Sequence, residues 1–166
     1  MSPGLTVLTL VHVAISLVGI ISGLVVLSGM LKAQPLDRWT AVFLVTTIAT
    51  SVTGFLFPFN GFTPGIGLGI ISLIVLAIAI LARYGRKLAG AWRWVYVITA
   101  LMALYFNCFV LVAQLFDKVP VLKALSPTQS DPPFLATQLV VLVIFVVLTI
   151  LAVIKFRPLR ISKTTH

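Results

Sequence analysis

The sequence predicts an all-α protein, a polytopic bundle of transmembrane helices, on three observations. Hydrophobic residues make up 60% of the 166 residues, and charged residues make up only 9%. Apolar segments of about 20 residues, long enough to cross a roughly 30 Å hydrocarbon core, recur along nearly the whole chain. Basic residues cluster between these segments. This composition excludes an ordinary soluble domain.

Five apolar segments are predicted to span the membrane: residues 5–31, 39–57, 66–83, 92–116 and 134–156. The first is longer than a bilayer requires, so it must tilt or project beyond the surface. We do not expect it to be a cleaved signal peptide, because no basic region precedes it and its apolar stretch is too long. The connections are short, so residues 1–166 are predicted to form a single transmembrane domain.

The placement of the cations predicts the orientation. Of the 12 Lys and Arg residues, all but Lys118 and Lys123 fall on one side of the membrane when the connections are assigned alternately. These are Lys32, Arg38, Arg83, Arg86, Lys87, Arg93, Lys155, Arg157, Arg160 and Lys163. The positive-inside rule makes that side cytoplasmic, with the N-terminus and the loops 58–65 and 117–133 outside and the C-terminus inside. Trp39, Trp92 and Trp94 fall at the predicted cytoplasmic interface and support this threading.

Helix starts carry their own signals. Thr63 and Asp131 each precede a proline, and Asp37 opens the second segment. Ser, Thr and Asp side chains commonly accept a hydrogen bond from the first-turn N–H groups, and proline suits the first helical turn. The sequence therefore predicts a capping side chain at each of these positions.

Small residues are predicted to mediate helix packing. Lipid gives no hydrophobic driving force for helices to associate, so tight packing depends on small residues that let the backbones approach closely. The candidates are Gly19 and Gly23 in the first segment, Thr46, Thr50 and Gly54 in the second, and Gly65 and Gly69 in the third. Thr47 and Thr53 extend the threonine stripe. A threonine hydroxyl can donate to its own i−4 carbonyl, so the stripe favours packing over the alternative of a water-filled path.

Four polar residues within the apolar segments are costly to bury and are the candidate ligand-binding residues: His12, Asn107, Gln114 and Gln138. Counted inward at 1.5 Å per residue, all four fall in the outer half of the membrane. Tyr105 and, from the outer loop, Asn60 complete the candidate set. We expect these groups to converge on an outward-facing pocket; the alternative is that each makes a separate interhelical hydrogen bond.

Two outer loops would lie above such a pocket. Residues 55–65 carry four phenylalanines, and residues 117–133 have the prolines and apolar residues of a short surface helix. The loops are predicted to form a lid, the alternative being an aromatic anchor plus a stiff connector.

Several chemistries are disfavoured. Three acidic residues leave almost nothing for carboxylate chemistry, and the single cysteine, Cys108, excludes a disulfide framework, a CxxC redox pair and thiolate zinc sites. A haem between helices usually needs two axial ligands, and the chain offers one intramembrane histidine, His12, with Met102 about 10 Å deeper. We therefore expect no cofactor, no catalytic residues and no metal site. We also expect no nucleic acid as a partner, because the basic residues lie in short clusters between apolar segments, where they orient membrane helices.

Four segments, TGFLFPFNGFTP, GAWRWVY, YFNCFVLVAQLF and LSPTQSDPPF, resemble a group of small, uncharacterised bacterial integral membrane proteins. This resemblance covers most of the chain and implies a location in the bacterial inner membrane. The first two segments are also similar to predicted membrane proteins related to b561-type cytochromes, which have a histidine in the first span and a His-Arg pair opening the second. Here His12 matches, but the pair is Asp37-Arg38.

Three functions follow as expectations. The first is a non-enzymatic inner-membrane protein whose polar pocket binds, or helps to translocate, a small apolar or amphiphilic molecule such as a lipid or quinone. The second is a structural subunit that self-assembles or joins a larger membrane complex through its small-residue faces. The third is a haem-carrying redox subunit. Membrane lipids are expected as partners in every case.

Overall fold

A computed structural model describes residues 3–59 and 61–157, and every regular element within them is helical. The helices are α1 (Pro3–Leu31), α2 (Asp37–Gly54), α3 (Pro64–Ile80), α4 (Trp92–Lys118), the short α5 (Pro120–Leu125) and α6 (Pro132–Lys155). A π-helical turn, Leu81–Gly85, follows α3 directly. The predicted all-α class is confirmed, and so is the short helix predicted within residues 117–133.

Helices α1 and α2 pack antiparallel along nearly the whole length of α2. His12 bonds Thr53, a Cβ on Gly19 would touch Thr46 and Thr47, and a Cβ on Gly23 would touch Phe43. Residue numbers therefore rise along α1 as they fall along α2. The contacts from His12 to Gly23 cover about 16 Å of α1 at 1.5 Å per residue.

Helices α3, α4 and α6 also run in alternating directions. Arg83 pairs with Asp37 and Tyr96 meets Thr40, which places the end of α3 and the start of α4 beside the start of α2. Phe116 stacks edge-on against Phe134. Contacts from Tyr96 and Arg93 to Phe156 then show that α6 runs antiparallel to α4.

This arrangement sorts the charges. One end of the bundle, here called the basic end, carries the described cations Lys32, Arg38, Arg83, Arg86, Lys87, Arg93, Lys155 and Arg157. The other end, the loop end, carries residues 55–59 and 61–63, α5, and the cations Lys118 and Lys123. Arg160 and Lys163 lie outside the described residues. The grouping predicted from the connections is thus reproduced by the packing of the helices.

Four helical stretches are long and apolar enough to cross a membrane: Pro3–Leu31, Pro64–Gly85, Trp92–Lys118 and Pro132–Lys155. Helix α2, the second of the predicted spans, is not among them. Its first turn contains Asp37 and Arg38, and its threonines lower its mean hydropathy further. Three of its threonine hydroxyls are nevertheless satisfied within the helix, since Thr46, Thr50 and Thr53 each donate to a carbonyl one turn earlier.

The core lies where α1, α2, α3 and α4 meet, around the fully buried Phe43, Leu76, Tyr96 and Leu104. Gly23 is buried against Leu104 and Phe43. Gly19 and Gly23 therefore serve packing within the chain. Gly67 and Gly69 instead accommodate the rings of Phe62 and Phe55, and Gly65 lies near the Thr63 hydroxyl alone. The loop phenylalanines thus occupy the glycine face at the start of α3.

Of the three predicted capping bonds, the one at Thr63 is confirmed and those at Asp37 and Asp131 are wrong, although the helix start predicted at Asp131-Pro132 is confirmed. Thr63 Oγ1 accepts a hydrogen bond from Ile66 N at 3.3 Å, and Pro64 occupies the first turn. Asp37 makes no capping bond because Leu36 takes the cap position and the carboxylate pairs with Arg83. Asp131 stands at the cap position of α6, but its Oδ2 reaches back to Thr128 N at 2.7 Å.

Replacing Thr63 by Ala is expected to lower the free energy of unfolding by about 1 kcal/mol, because the Ile66 N–H loses its acceptor. Unfolding in mixed micelles, followed by circular dichroism, measures the change. Thr137→Ala is the matched control, since the Thr137 hydroxyl donates to the Pro133 carbonyl within α6 and caps nothing. Equal stabilities of the two variants would contradict a stabilising cap at Thr63.

Candidate functional site

His12 lies at the loop end of the bundle, beside the last turn of α2. Its Nδ1 is 2.8 Å from Thr53 Oγ1, and its ring meets Phe57 edge-on with centroids 5.2 Å apart. A Cβ on Gly54 would be 3.7 Å from His12 Cε1, an ordinary contact distance, so the ring also lies beside Gly54. Helix α1 continues for nine residues beyond His12, whereas α2 ends one residue after Thr53. The imidazole therefore sits at a rim, half-buried, and not in the centre of the bundle.

The Thr53 hydroxyl lies 2.7 Å from the Ala49 carbonyl and 2.8 Å from His12 Nδ1. We assign its single hydrogen to the carbonyl, as is usual for a threonine bonded one turn back in a helix, so that the hydroxyl accepts from His12. In the neutral ring Nδ1 then carries the proton and Nε2 keeps its lone pair. Within the described part of the chain nothing bonds Nε2. Nε2 is also not enclosed. Among the described residues, the side-chain nitrogen or oxygen atom that is both enclosed and without a partner is Gln138 Oε1.

The surface next to His12 is apolar. Val7, Leu10 and Val11 are exposed on the part of α1 that extends beyond α2, about 13 Å at the helical rise. A hydrogen-bond acceptor at the edge of an apolar surface suits a molecule with one polar donor and an apolar body.

Asn107 occupies a different position, about 10 Å further into the bundle along α1. Its Nδ2 donates to Thr47 Oγ1 at 3.3 Å and lies where a Cβ on Gly19 would approach within 3.5 Å. It thus joins α4 to α2 at the point where Gly19 leaves space on the surface of α1. The threonine stripe connects the His12 and Asn107 levels, with Thr50 buried between them.

The remaining candidate residues lie apart from His12. Gln138 is buried against α4 and donates to the Phe109 carbonyl at 3.0 Å. Tyr105 packs among Phe106, Phe109 and Phe145. Gln114 is exposed, and Asn60 lies outside the described residues. The structure therefore brings His12 together with Thr53 and Gly54, and Asn107 together with Thr47 and Gly19, whereas Gln138 and Tyr105 belong to the interface between α4 and α6.

Thr53 and Phe57 are the contacts that sequence reasoning did not assign to His12. Both lay in segments already singled out, the threonine stripe and the phenylalanine-rich loop. Their pairing with His12 depends on the register between α1 and α2, for which the sequence carries no local signal. Among the described residues, no group of three His, Cys, Asp or Glu side chains is placed to hold a metal ion.

Comparison of the chain with protein-family models, with curated proteins and with solved structures found no match. The resemblances noted from the sequence, to small bacterial membrane proteins and to b561-related proteins, therefore stay predictions.

Proposed function

We propose that this protein is a membrane protein that binds a small amphiphilic molecule of the quinone or lipid type at the loop end of the bundle. The polar contact is a hydrogen bond from a ligand hydroxyl to His12 Nε2, and the apolar body of the ligand lies along α1 beyond the end of α2. One observation carries the proposal: Thr53 holds Nδ1 and leaves Nε2 as an open acceptor beside apolar surface.

The geometry also sets a preference among ligands. A neutral imidazole with its proton on Nδ1 accepts at Nε2, so it pairs with a donor. A quinol carries hydroxyl donors, whereas the oxidised quinone offers only carbonyl acceptors. We expect the reduced form of a short-tailed benzoquinone to bind more tightly than the oxidised form.

Replacing His12 by Leu is expected to weaken binding of a short-tailed benzoquinol about tenfold, the order of one lost hydrogen bond in a partly dry site. Titration calorimetry on the detergent-solubilised protein measures the affinity. Ser16→Ala is the matched control, because Ser16 lies one turn further along α1 and its hydroxyl is already bonded to the Val13 carbonyl. Unchanged binding by a folded His12→Leu protein would refute the proposal.

The proposed threading has five spans, with the loop end outside and the basic end in the cytoplasm of a bacterial inner membrane. Two observations support it. Helix α2 lies against α1 from His12 to Gly23, so a bilayer crossed by α1 has α2 at the same depth. The cations assigned to one side also group at one end of the packed bundle, as the positive-inside rule requires. In this orientation His12 is reached from the periplasm.

A further inference from the structure

A groove of about 300 Å³ runs along the outside of the bundle between α4 and α6. This volume lies at the lower end of the range that is typical of small-molecule sites. Aliphatic side chains such as Met102 and Val146 make up most of its lining. Tyr105 and Phe145 add two aromatic rings, whose centroids are 5.6 Å apart. The groove therefore suits an apolar molecule that carries a flat ring.

Two polar side chains line the groove, and their hydroxyls differ in what they bond. Thr149 Oγ1 donates its hydrogen to the Phe145 carbonyl at 2.7 Å. The Tyr105 hydroxyl bonds nothing within residues 3–59 and 61–157. It is not enclosed either, because the enclosed side-chain atom without a partner in those ranges is Gln138 Oε1. Tyr105 is therefore the lining residue that still has a hydrogen to donate.

The direction of the Tyr105 side chain places this donor along the groove. Side chains of a helix lean toward its N-terminus. For Tyr105 that is the direction of Met102 and Ile98, which both line the groove. Phe109, one turn on the other side, packs edge-on against the Tyr105 ring with centroids 6.2 Å apart. A ligand between α4 and α6 therefore meets a hydrogen-bond donor in an otherwise apolar groove.

The depth of Tyr105 limits which molecule can accept that hydrogen bond. Tyr105 is the middle residue of α4, which is long and apolar enough to cross a membrane. An acyl chain carries no acceptor, and the ester and phosphate oxygens of a phospholipid lie at the edges of the hydrocarbon core, about 15 Å from its centre. The acceptor must therefore belong to a molecule that can place an oxygen atom near the middle of the bilayer.

We propose that the groove binds an apolar molecule with a carbonyl acceptor, of the oxidised quinone class. Its carbonyl accepts a hydrogen bond from the Tyr105 hydroxyl, and its flat ring lies beside Tyr105 and Phe145. A carboxylate would also accept this bond, but it would bring a charge to the centre of the bilayer, which is costly. This site is separate from the one at His12, and its preference is the opposite one, because Tyr105 donates where His12 accepts.

The test uses the whole protein in detergent and two probes with the same short alkyl tail, a benzoquinone kept oxidised and an alkylbenzene that has no carbonyl. Titration calorimetry measures both affinities. We expect the natural chain to bind the benzoquinone about tenfold more tightly, and Tyr105→Phe to remove that difference. Tyr84→Phe is the matched control, because Tyr84 lies beside Arg83 at the basic end and does not line the groove, so the difference should persist.

A second pair of variants tests the groove itself. Val146 and Val147 are adjacent and both 49% exposed, but only Val146 lines the groove. Val146→Phe should abolish binding of the oxidised benzoquinone, and Val147→Phe should not. His12→Leu should leave that binding unchanged, so this proposal and the function proposed above can fail separately.

Four outcomes would overturn the proposal. Equal affinity of the natural chain for the two probes would remove the role of the Tyr105 hydroxyl. A Tyr105→Phe protein that is less stable but binds as tightly would show that the hydroxyl has its partner within the protein. Equal behaviour of Val146→Phe and Val147→Phe would show that the probe binds elsewhere. A dimer mass in native mass spectrometry that only Val146→Phe abolishes would show that a second copy of the chain occupies the groove.

Discussion

Replacing Asp37 by Ala is expected to lower the free energy of unfolding by about 2 kcal/mol, the order of a charge-assisted hydrogen bond, because the Asp37 side chain is 83% exposed and only its partner Arg83 is buried. The Arg83 side chain is only 5% exposed, and its charge is balanced by Asp37 from the start of α2. Without that carboxylate, the guanidinium keeps its contacts with Tyr84 and Tyr96, whose ring centroids lie 5.8 and 5.0 Å away, and these neutral groups do not balance its charge. Unfolding in mixed micelles measures the loss.

A control variant and a double variant test whether the loss comes from the ion pair between Asp37 and Arg83. Asp131→Ala removes a carboxylate from another helix start that bonds no cation, so it should cost about 1 kcal/mol or less. Replacing Arg83 by Met in the Asp37→Ala background should recover part of the lost stability, because no unpaired charge is then buried. If Asp37→Ala and Asp131→Ala were equally stable, the pair would contribute nothing, and the tyrosines alone would hold Arg83.

Replacing Gly23 by Ala is expected to destabilise the protein by about 2 kcal/mol through overpacking. The added Cβ would lie 2.5 Å from Leu104 Cδ1 and 3.0 Å from the ring of Phe43. Leu104 is 0% exposed and Phe43 is 1% exposed, so neither can move aside into open space. The overpacking must therefore separate α1 from α2 and α4. Thermal unfolding in detergent provides the measurement.

Gly4→Ala is the control for this substitution. A Cβ on Gly4 meets nothing within 4 Å, and alanine favours a helix over glycine by up to about 1 kcal/mol, so this variant should be as stable as the natural chain or more so. Adding Leu104→Val to Gly23→Ala removes the atom that is overlapped and should restore part of the stability. A Gly23→Ala protein as stable as Gly4→Ala would mean that the α1 contact with α2 and α4 is looser than the structure shows.

The extent of each helix could be predicted closely because helix formation in lipid is a local matter. Every backbone donor and acceptor must find its partner within the same segment, so an apolar run and its flanking loop residues indicate where the helix lies. The segment predicted at 134–156 is the helix Pro132–Lys155, and that predicted at 92–116 is Trp92–Lys118. The second segment differs most at its end, because α2 stops at Gly54 and Phe55 turns to pack on Gly69.

The candidate site was predictable in its residues and not in its geometry. His12 and Asn107 stand out in the sequence because polar groups in lipid are costly. Their estimated depths suggested one pocket, yet Asn107 bonds Thr47 about two turns from the level at which His12 bonds Thr53. Gln138 is on another interface altogether. Depth along a helix follows from counting residues, whereas the direction in which a side chain points depends on its neighbours.

The sequence alone determined that the chain is helical and apolar, where its helices lie, and which connections carry the cations. Only the tertiary structure decided that Thr53 bonds His12, that Asp37 pairs with Arg83 instead of capping α2, and that Asn107 bonds Thr47 at another level of the bundle. The physical reason is that lipid gives a helix no preference for one apolar neighbour over another. The choice of partner and register comes from the fit of small residues such as Gly23 and from a few polar contacts, and these join residues far apart in the chain.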